Sequence, residues 1–393
     1  MSEHRIELTA ERFQAPPALS RIQVGGLVVG AVALGLAWLA GGGEQFYQSY
    51  LVAYLFWLSI SLGSLGLLII QHMTQGDWGL VTRRINEASA ATLTLLAVLF
   101  LPIWTGLESI YKWTKADPHD HLLAAKLWFL NKSDFGLRVI CYFAIWLVLT
   151  WVLIALSSRQ DKNPSPGLIN KMRAVAAPGI VVCGIVVTLV SVDLLMSLDP
   201  HWYSSMYGVY FIGTILVAGM TFLILVGHWL SRRAPMNEVL GPKIFYAQGK
   251  LLLAFVMLWA YFGVSQLVII WAANLPEEIL WYQERTQGGW LQVGLVVVFG
   301  HFLLPFLMLL SRSRKHASGR LARVAALLLV VHFLDYYWQA APTFHHHLTF
   351  HWLDLATLVG LGGLWLGVFA TLLKRRPLVP VGDAYLPEVF THE

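Results

Sequence analysis

Apolar positions along this chain fall in blocks of about twenty or more, without the alternation of a half-buried strand or the one-sided stripe of a surface helix. Ten blocks stand out: 22–41, 48–71, 85–110, 136–157, 173–197, 207–230, 247–273, 289–310, 321–340 and 351–373. Each is long enough to cross the ~30 Å hydrocarbon core as a helix. Short polar stretches separate most of them, which predicts antiparallel neighbours in an all-α, up-and-down bundle of ten transmembrane helices. A single membrane domain, 22–374, then lies between an N-terminal tail, 1–21, and a C-terminal tail, 375–393. Pro102 and Pro305 fall inside the third and eighth blocks, where a missing backbone donor bends a helix and frees a carbonyl.

The stretch from Lys250 to Trp290 shows the pattern at its sharpest, an oily run interrupted only by Ser265 and Gln266 and then an abrupt charged turn. Asn274, Pro276, Glu277 and Glu278 read as a cap, a first-turn proline and two acids at the positive end of a short surface helix. Trp281, Tyr282 and Trp290 have the amphipathic rings expected at headgroup level.

Composition agrees, with 57% hydrophobic against 12% charged residues over 393 positions. That balance excludes a soluble domain of this length and leaves a polytopic membrane protein. Cys141 and Cys183 both lie in apolar blocks, as inert core residues that cannot build a disulfide framework, an iron–sulfur site or a covalent haem motif. The first residues carry three acids and no small-residue cleavage site follows, so they read as a retained tail.

Charge then sets orientation. Of the 27 Lys and Arg, 21 fall with the two tails and the even-numbered loops and six with the odd-numbered loops, which predicts both termini in the cytoplasm. The third loop is the exception, with Lys112, Lys115, Lys126, Lys132 and Arg138 among Asp117, Asp120 and Asp134, and reads as a small folded cap on the outer face. The net charge of +5 is explained by this distribution and needs no nucleic-acid partner.

Ionisable groups in hydrocarbon cost about 2.5–3.5 kcal/mol each, so those present need reasons. Most lie towards the outer face: Asp193, His332, Asp335, His351 and Asp354 near helix ends, with Gln266 in the outer part of its span and Glu108, Asp199, Glu277 and Glu278 at the boundary. His332 with Asp335, and His351 with Asp354, are spaced i,i+3, a spacing that sets an imidazole beside a carboxylate. Asp193 and Asp335 are candidates to work together on a proton path, joined by His301, His332, Asp354 and, at the inner side, Glu87 as a point of proton uptake. Plainer readings stand beside these: a solvated helix start for His351 and Asp354, dipole partners for Glu277 and Glu278, a hydrogen bond to a neighbouring helix for His301. Snorkelling explains His72, Glu87, His228 and Lys250. His301 and His332 are expected to differ in depth by roughly 9 Å, against axial ligation of one iron. The run His345 to His347 reads as an exposed polar turn, and no phosphate loop, dinucleotide fingerprint or nucleophile motif is present.

Three stretches together resemble a known family: DLLMSLDPHWYSSMYG from Asp193, KLLLAFVMLWAYFGVSQLVIIWAANLPEEILWY from Lys250, and GGLWLGVF followed by RRPLVP. They resemble the F subunit of bacterial alternative complex III, a quinol:electron-acceptor oxidoreductase. The resemblance implies a polysulfide-reductase-type membrane subunit with two four-helix bundles, spans 2–5 and 6–9, flanked by spans 1 and 10. It also implies a multi-pass protein of the bacterial inner membrane beside a homologous C subunit, an iron–sulfur subunit and multihaem cytochromes, with lipid around it. Haem c and iron–sulfur clusters would sit in those partners. This chain would bind no redox cofactor or metal, with quinone or quinol as a possible ligand, and would contribute a proton path or a scaffold, its outer boundary residues Asp199, Gln266, Glu277 and Glu278 forming an interface or proton exit. A stand-alone proton-coupled transporter and a purely structural anchor are the competing classes.

Overall fold

The computed structural model describes residues 9–115 and 119–391, and among them there is no strand. Ten helices are long and apolar enough to span a bilayer: α1 Ala18–Gly41, α2 Glu44–Thr74, α3 Arg83–Thr105, α4 Lys132–Lys162, α5 Pro166–Leu198, α6 Tyr207–Ser231, α7 Pro242–Ala273, α8 Trp290–Leu310, α9 Ser318–Thr343 and α10 Trp352–Leu373. The chain is a polytopic membrane protein, and each span overlaps its apolar block, the largest difference being the fifth, which starts at Pro166 and not at 173.

Helices α2 to α5 pack as one group and α6 to α9 as another, with α1 laid antiparallel along α10 at the flank. The groups join where α2 crosses α6. A Cβ on Gly63 would stand 1.8 Å from the Ile215 carbonyl oxygen, so only glycine permits that approach. Through this contact α2 becomes the centre of the molecule, touching α3, α5, α6, α9 and α10, and it is the most buried span. Neighbouring spans run antiparallel, and the tertiary contacts place both described ends on one face, the terminal face, opposite a distal face.

Both prolines disturb their helices as expected. Span α3 is broken into short segments, one of them Leu101–Thr105 around Pro102, and α8 contains a π-helical turn, Val298–Leu303, immediately before Pro305. The third loop is folded, as its mixed charges suggest. A 3-10 turn, Lys112–Lys115, and a helix, His121–Ala124, bury Trp113 and Leu123, while Lys126 Nζ donates to the Pro200 carbonyl at 2.7 Å and Asp120 pairs with His201 at 2.7 Å. Asp117 lies outside the described residues.

The terminal face departs from expectation. Glu87 and His72 do not snorkel: both are buried, because the segment after α10 folds back over them. Glu87 Oε2 accepts from Arg84 at 2.7 Å and from Arg376 at 2.6 Å, Arg84 also pairs with Asp161, and Arg83 pairs with Asp383 at 2.7 Å. Phe13, Leu378 and Val379 are buried too, and the Leu378 amide donates to the Phe13 carbonyl, so the described parts of both tails belong to the core. His228 is half-buried on Ser318, and Lys250 reaches the surface. Cys183 is a core residue, whereas Cys141 lies on the outward side of α4, a helix with only one face packed.

Candidate functional site

The densest buried chemistry lies in the distal half of α9. His332, Asp335, Tyr336 and Gln339 follow the i, i+3, i+4, i+7 spacing of a single helix face, and each is at most 2% exposed. That face meets α2 and α6. Tyr207 and Tyr210, one turn apart on α6, interlock with it: Tyr210 Oη donates to Asp335 Oδ1 at 2.9 Å and Tyr207 Oη to Gln339 Oε1 at 2.8 Å. On the α2 side His332 Nε2 hydrogen-bonds Ser59 Oγ at 2.8 Å. The i,i+3 pairing of His332 with Asp335 is therefore not made; the imidazole turns to α2 and the carboxyl to α6. Asp335 Oδ2, His332 Nδ1 and Tyr336 Oη are buried without a hydrogen-bond partner.

His301 comes in from α8 on the π-helical turn. Its ring centroid is 5.8 Å from that of His332, nearly parallel, and 4.3 Å from Trp259, with neither ring nitrogen hydrogen-bonded. The expected depth mismatch is thus overturned. Span α9 continues through a 3-10 turn to Thr343 and α8 begins at Trp290, so each histidine lies eleven residues from its distal end, 290 to 301 and 332 to 343. His332 Nε2 is already engaged with Ser59, which removes it from any axial pair.

Beside this cluster a cavity of about 310 Å³ opens between α7, α8, α9 and the surface helix Pro276–Glu284. Asp335, Tyr210 and Trp259 line its inner end, and Gln266, Tyr282 and Arg285 its distal end. Gln266 Nε2 donates to Tyr282 Oη at 3.3 Å. Trp259 Nε1 and Trp338 Nε1, both on the lining, have no acceptor. The walls are otherwise apolar, and Val264, Leu267, Leu291, Leu295 and Val298 also form part of the outward surface, so the cavity faces the bilayer.

Arg285 is the residue that sequence reasoning missed. It is 1% exposed, donates to the carbonyls of Gln339 at 2.5 Å and Trp281 at 2.9 Å, and stacks its guanidinium 3.7 Å from the Trp281 ring. Burial lowers its pKa to about 10, which still leaves a cation at neutral pH. The available signal was its place as the only basic residue of the seventh loop. Trp281 itself stacks on Trp202 at 4.7 Å, and Trp290 is fully buried with its Nε1 donating to the His345 carbonyl at 3.0 Å. These two rings pin loops to the bundle and are not a headgroup belt. Asn274 is likewise a C-cap of α7, in the left-handed conformation at φ 50°, while Leu275 caps the surface helix.

The other candidates are placed apart from this cluster. Asp193 is held by Arg138 through two hydrogen bonds, at 2.9 and 2.7 Å, and by Tyr142 Oη at 2.7 Å, and no hydrogen bond or ion pair links it to Asp335. His351 and Asp354 form a capping box at the start of α10, with Ser49 Oγ donating to Asp354 Oδ1 at 2.5 Å. Glu277 and Glu278 occupy the first turn of the surface helix, the first exposed and the second half-buried, and Asp199 lies half-buried in the loop after α5. Glu87 belongs to the terminal-face ion network. His346 and His347 are exposed and His345 is half-buried, its pKa lowered mainly by burial.

Between Asp335 and Glu87 the core carries further polar side chains. Ser61 Oγ and Thr92 Oγ1 are 2.8 Å apart, and Gln71 Oε1 accepts from Arg83 Nε at 3.1 Å, fixing the antiparallel register of α2 and α3. Ser64 falls between those two rungs, at the level of Asn86 and Ser89, and all three are buried with unpartnered polar atoms. Unsatisfied groups of this kind each cost about 1–3 kcal/mol and call for a water, ligand or proton-relay explanation. No family model matches the chain and no curated protein is similar to it.

Proposed function

We propose that this chain is a membrane subunit of a quinol-oxidising complex of the alternative complex III type, in the bacterial inner membrane with both termini cytoplasmic, and that it carries protons between the distal cavity and the core. The observation that carries this reading is Asp335: a fully buried carboxyl at the inner end of a bilayer-facing cavity, with one oxygen fixed by Tyr210 and the other unpartnered. A carboxyl so placed can exchange a proton at Oδ2 while Tyr210 holds its geometry. Across the same helix face stand His301, His332 and Ser59, and beyond them the α2 and α3 side chains descend towards Glu87, whose ion network forms the cytoplasmic end. Asp193, saturated by Arg138 and Tyr142, stands outside the route and ties α4 to α5.

The cavity also suits a quinol head in its residue chemistry, because Asp335 Oδ2 can accept from a hydroxyl and the Trp259 and Trp338 indoles can donate to an oxygen. A bound quinol would supply protons and electrons; the electrons would leave through haem and iron–sulfur partners, since this role asks only proton handling of the chain itself. The exposed Glu277 and the half-buried Glu278 are available to those partners on the periplasmic side.

Affinity purification from native membranes tests the assembly: haem and iron–sulfur subunits should copurify, whereas a chain that runs alone or as a homo-oligomer is a transporter. Reconstituting the complex in liposomes tests the role. Asp335→Asn should keep electron flux to haem while proton release falls, and unchanged proton stoichiometry would reduce the chain to a scaffold. Labelling from outside should modify a cysteine at position 120 and spare one at position 240.

A further inference from the structure

On the terminal face, away from the ion network, basic groups collect around a single aromatic ring. Tyr246, in the first turns of α7, stacks on His316 with centroids 4.2 Å apart and planes 8° from parallel. Lys250 Nζ lies 4.9 Å from the Tyr246 centroid, Lys315 Nζ 5.5 Å and the Arg312 guanidinium carbon 5.8 Å. Among the described residues none of these three cations forms an ion pair. Two acids of the same face are engaged elsewhere, Asp77 with Lys243 and Glu238 with Arg12.

Two features distinguish this cluster from a solvated basic patch. Lys315 is only 7% exposed, its stem packed into the bundle, and among the described residues no acid pairs with its ammonium. Its stem also has a prepared bed: a Cβ on Gly249 would fall 2.8 Å from Lys315 Cγ, so the lysine crosses the α7 backbone where only glycine leaves room. Towards the bilayer the surface changes at once to exposed apolar side chains, Met257 on α7 and Leu304, Leu307 and Leu310 on α8. Arg312 follows Leu310 by two residues, so charge and apolar surface meet at one level. Cations converging at the end of an oily helix pair match the phosphate headgroup of an acidic lipid with its acyl chains alongside.

We propose that Lys250, Arg312 and Lys315, gathered around the Tyr246–His316 stack, bind the phosphate headgroup of an anionic phospholipid in the leaflet at the terminal face, with the acyl chains lying on the groove between α7 and α8. Three cations on one ring favour a lipid with two phosphates over one with a single phosphate. This site needs only the membrane character of the chain and is independent of the proton route.

Native mass spectrometry of the detergent-purified full chain, with whatever subunits accompany it, reads the proposal directly. Diphosphatidylglycerol, phosphatidylglycerol and phosphatidylcholine are titrated in turn, with inorganic phosphate as competitor. Retention should follow that order, with diphosphatidylglycerol held at least about tenfold more tightly than phosphatidylcholine. Lys315→Met, which keeps the stem, and the pair Lys250→Gln with Arg312→Gln, both exposed, should each abolish most of that preference; Lys243→Gln, whose ammonium pairs with Asp77, should leave it intact. Equal lipid retention by all variants overturns the site. So does binding of inorganic phosphate without a lipid preference, or loss of a partner subunit from the variants with lipid retention unchanged, which would assign the cluster to an acidic protein segment.

Discussion

Asp193 and Asp335 are alike in sequence, each an acid in an oily run near the distal end of its helix, and both are fully buried. Their surroundings differ completely. Asp193 faces a bidentate guanidinium and a tyrosine, so each carboxylate oxygen is engaged, and no cavity reaches it among those that line Asp335. Among the described residues Asp335 is held at Oδ1 by Tyr210, pairs with no cation, and has Oδ2 unpartnered with open volume beside it. The lesson is that burial alone does not mark a working acid. A carboxylate whose lone pairs are all satisfied by a fixed counter-ion holds helices together; one left half-satisfied beside a cavity is poised for exchange.

The largest effect should come from breaking the satisfied site. Arg138→Gln strands the Asp193 carboxylate in the core and should destabilise the protein by about 3–5 kcal/mol, read as a lowered thermal midpoint and poor recovery in detergent. Replacing both residues together should recover much of that loss, and no recovery would show that the pair does more than balance charge. Next, Asp335→Asn should change stability by only about 0.5–1.5 kcal/mol, because an amide oxygen can still accept from Tyr210, yet lower proton release roughly a hundredfold. If Asp193→Asn lowers proton release per assembled complex as much as Asp335→Asn does, the contrast between the two sites collapses.

Tyr210→Phe sharpens the comparison further. It removes the donor to Asp335 Oδ1 and should cost about 1–3 kcal/mol while loosening the carboxyl's position, seen as slower proton release, with no further loss when it is added to Asp335→Asn. The smallest effect is expected in the distal cap that covers the Asp193 side. The Asp120 carboxyl is held below its ordinary pKa, first by the Leu123 amide and then by His201, and the Glu108 carboxyl is lowered by Lys132. A depressed folded pKa gives stability that is present above the ordinary carboxyl range and lost as pH falls through the folded value. Protection of amides 119–126 from hydrogen exchange should therefore decline below about pH 4, with the Asp335 region unaffected.

Much of the candidate site was visible in the residues, in different degrees. Asp335, His332 and His301 stood out because ionisable groups in apolar runs need partners. Who the partners are was not visible: Tyr210 is 125 residues from Asp335 and Ser59 is 273 from His332. The i,i+3 rule offered His332 a local acid, and the helix–helix contacts on either side supplied nearer partners in opposite directions. Trp281 and Trp290 read as interfacial because their sequence neighbours are polar, and Arg285 carries no signal beyond its loop, but that short loop is pulled over the bundle and all three are buried.

By itself the sequence determined that this is a membrane protein of ten helices, where those helices begin and end, and where they bend. These follow from the length and oiliness of each block and from proline's missing donor, properties that a residue carries wherever its neighbours lie. Only the tertiary structure decided that α2 is central, that the segment after α10 seals the terminal face, and that one distal aspartate is locked and the other left with a free oxygen. Those outcomes depend on which side chains from distant helices meet, and on the close backbone approach at Gly63 that sets how the two groups of helices face each other.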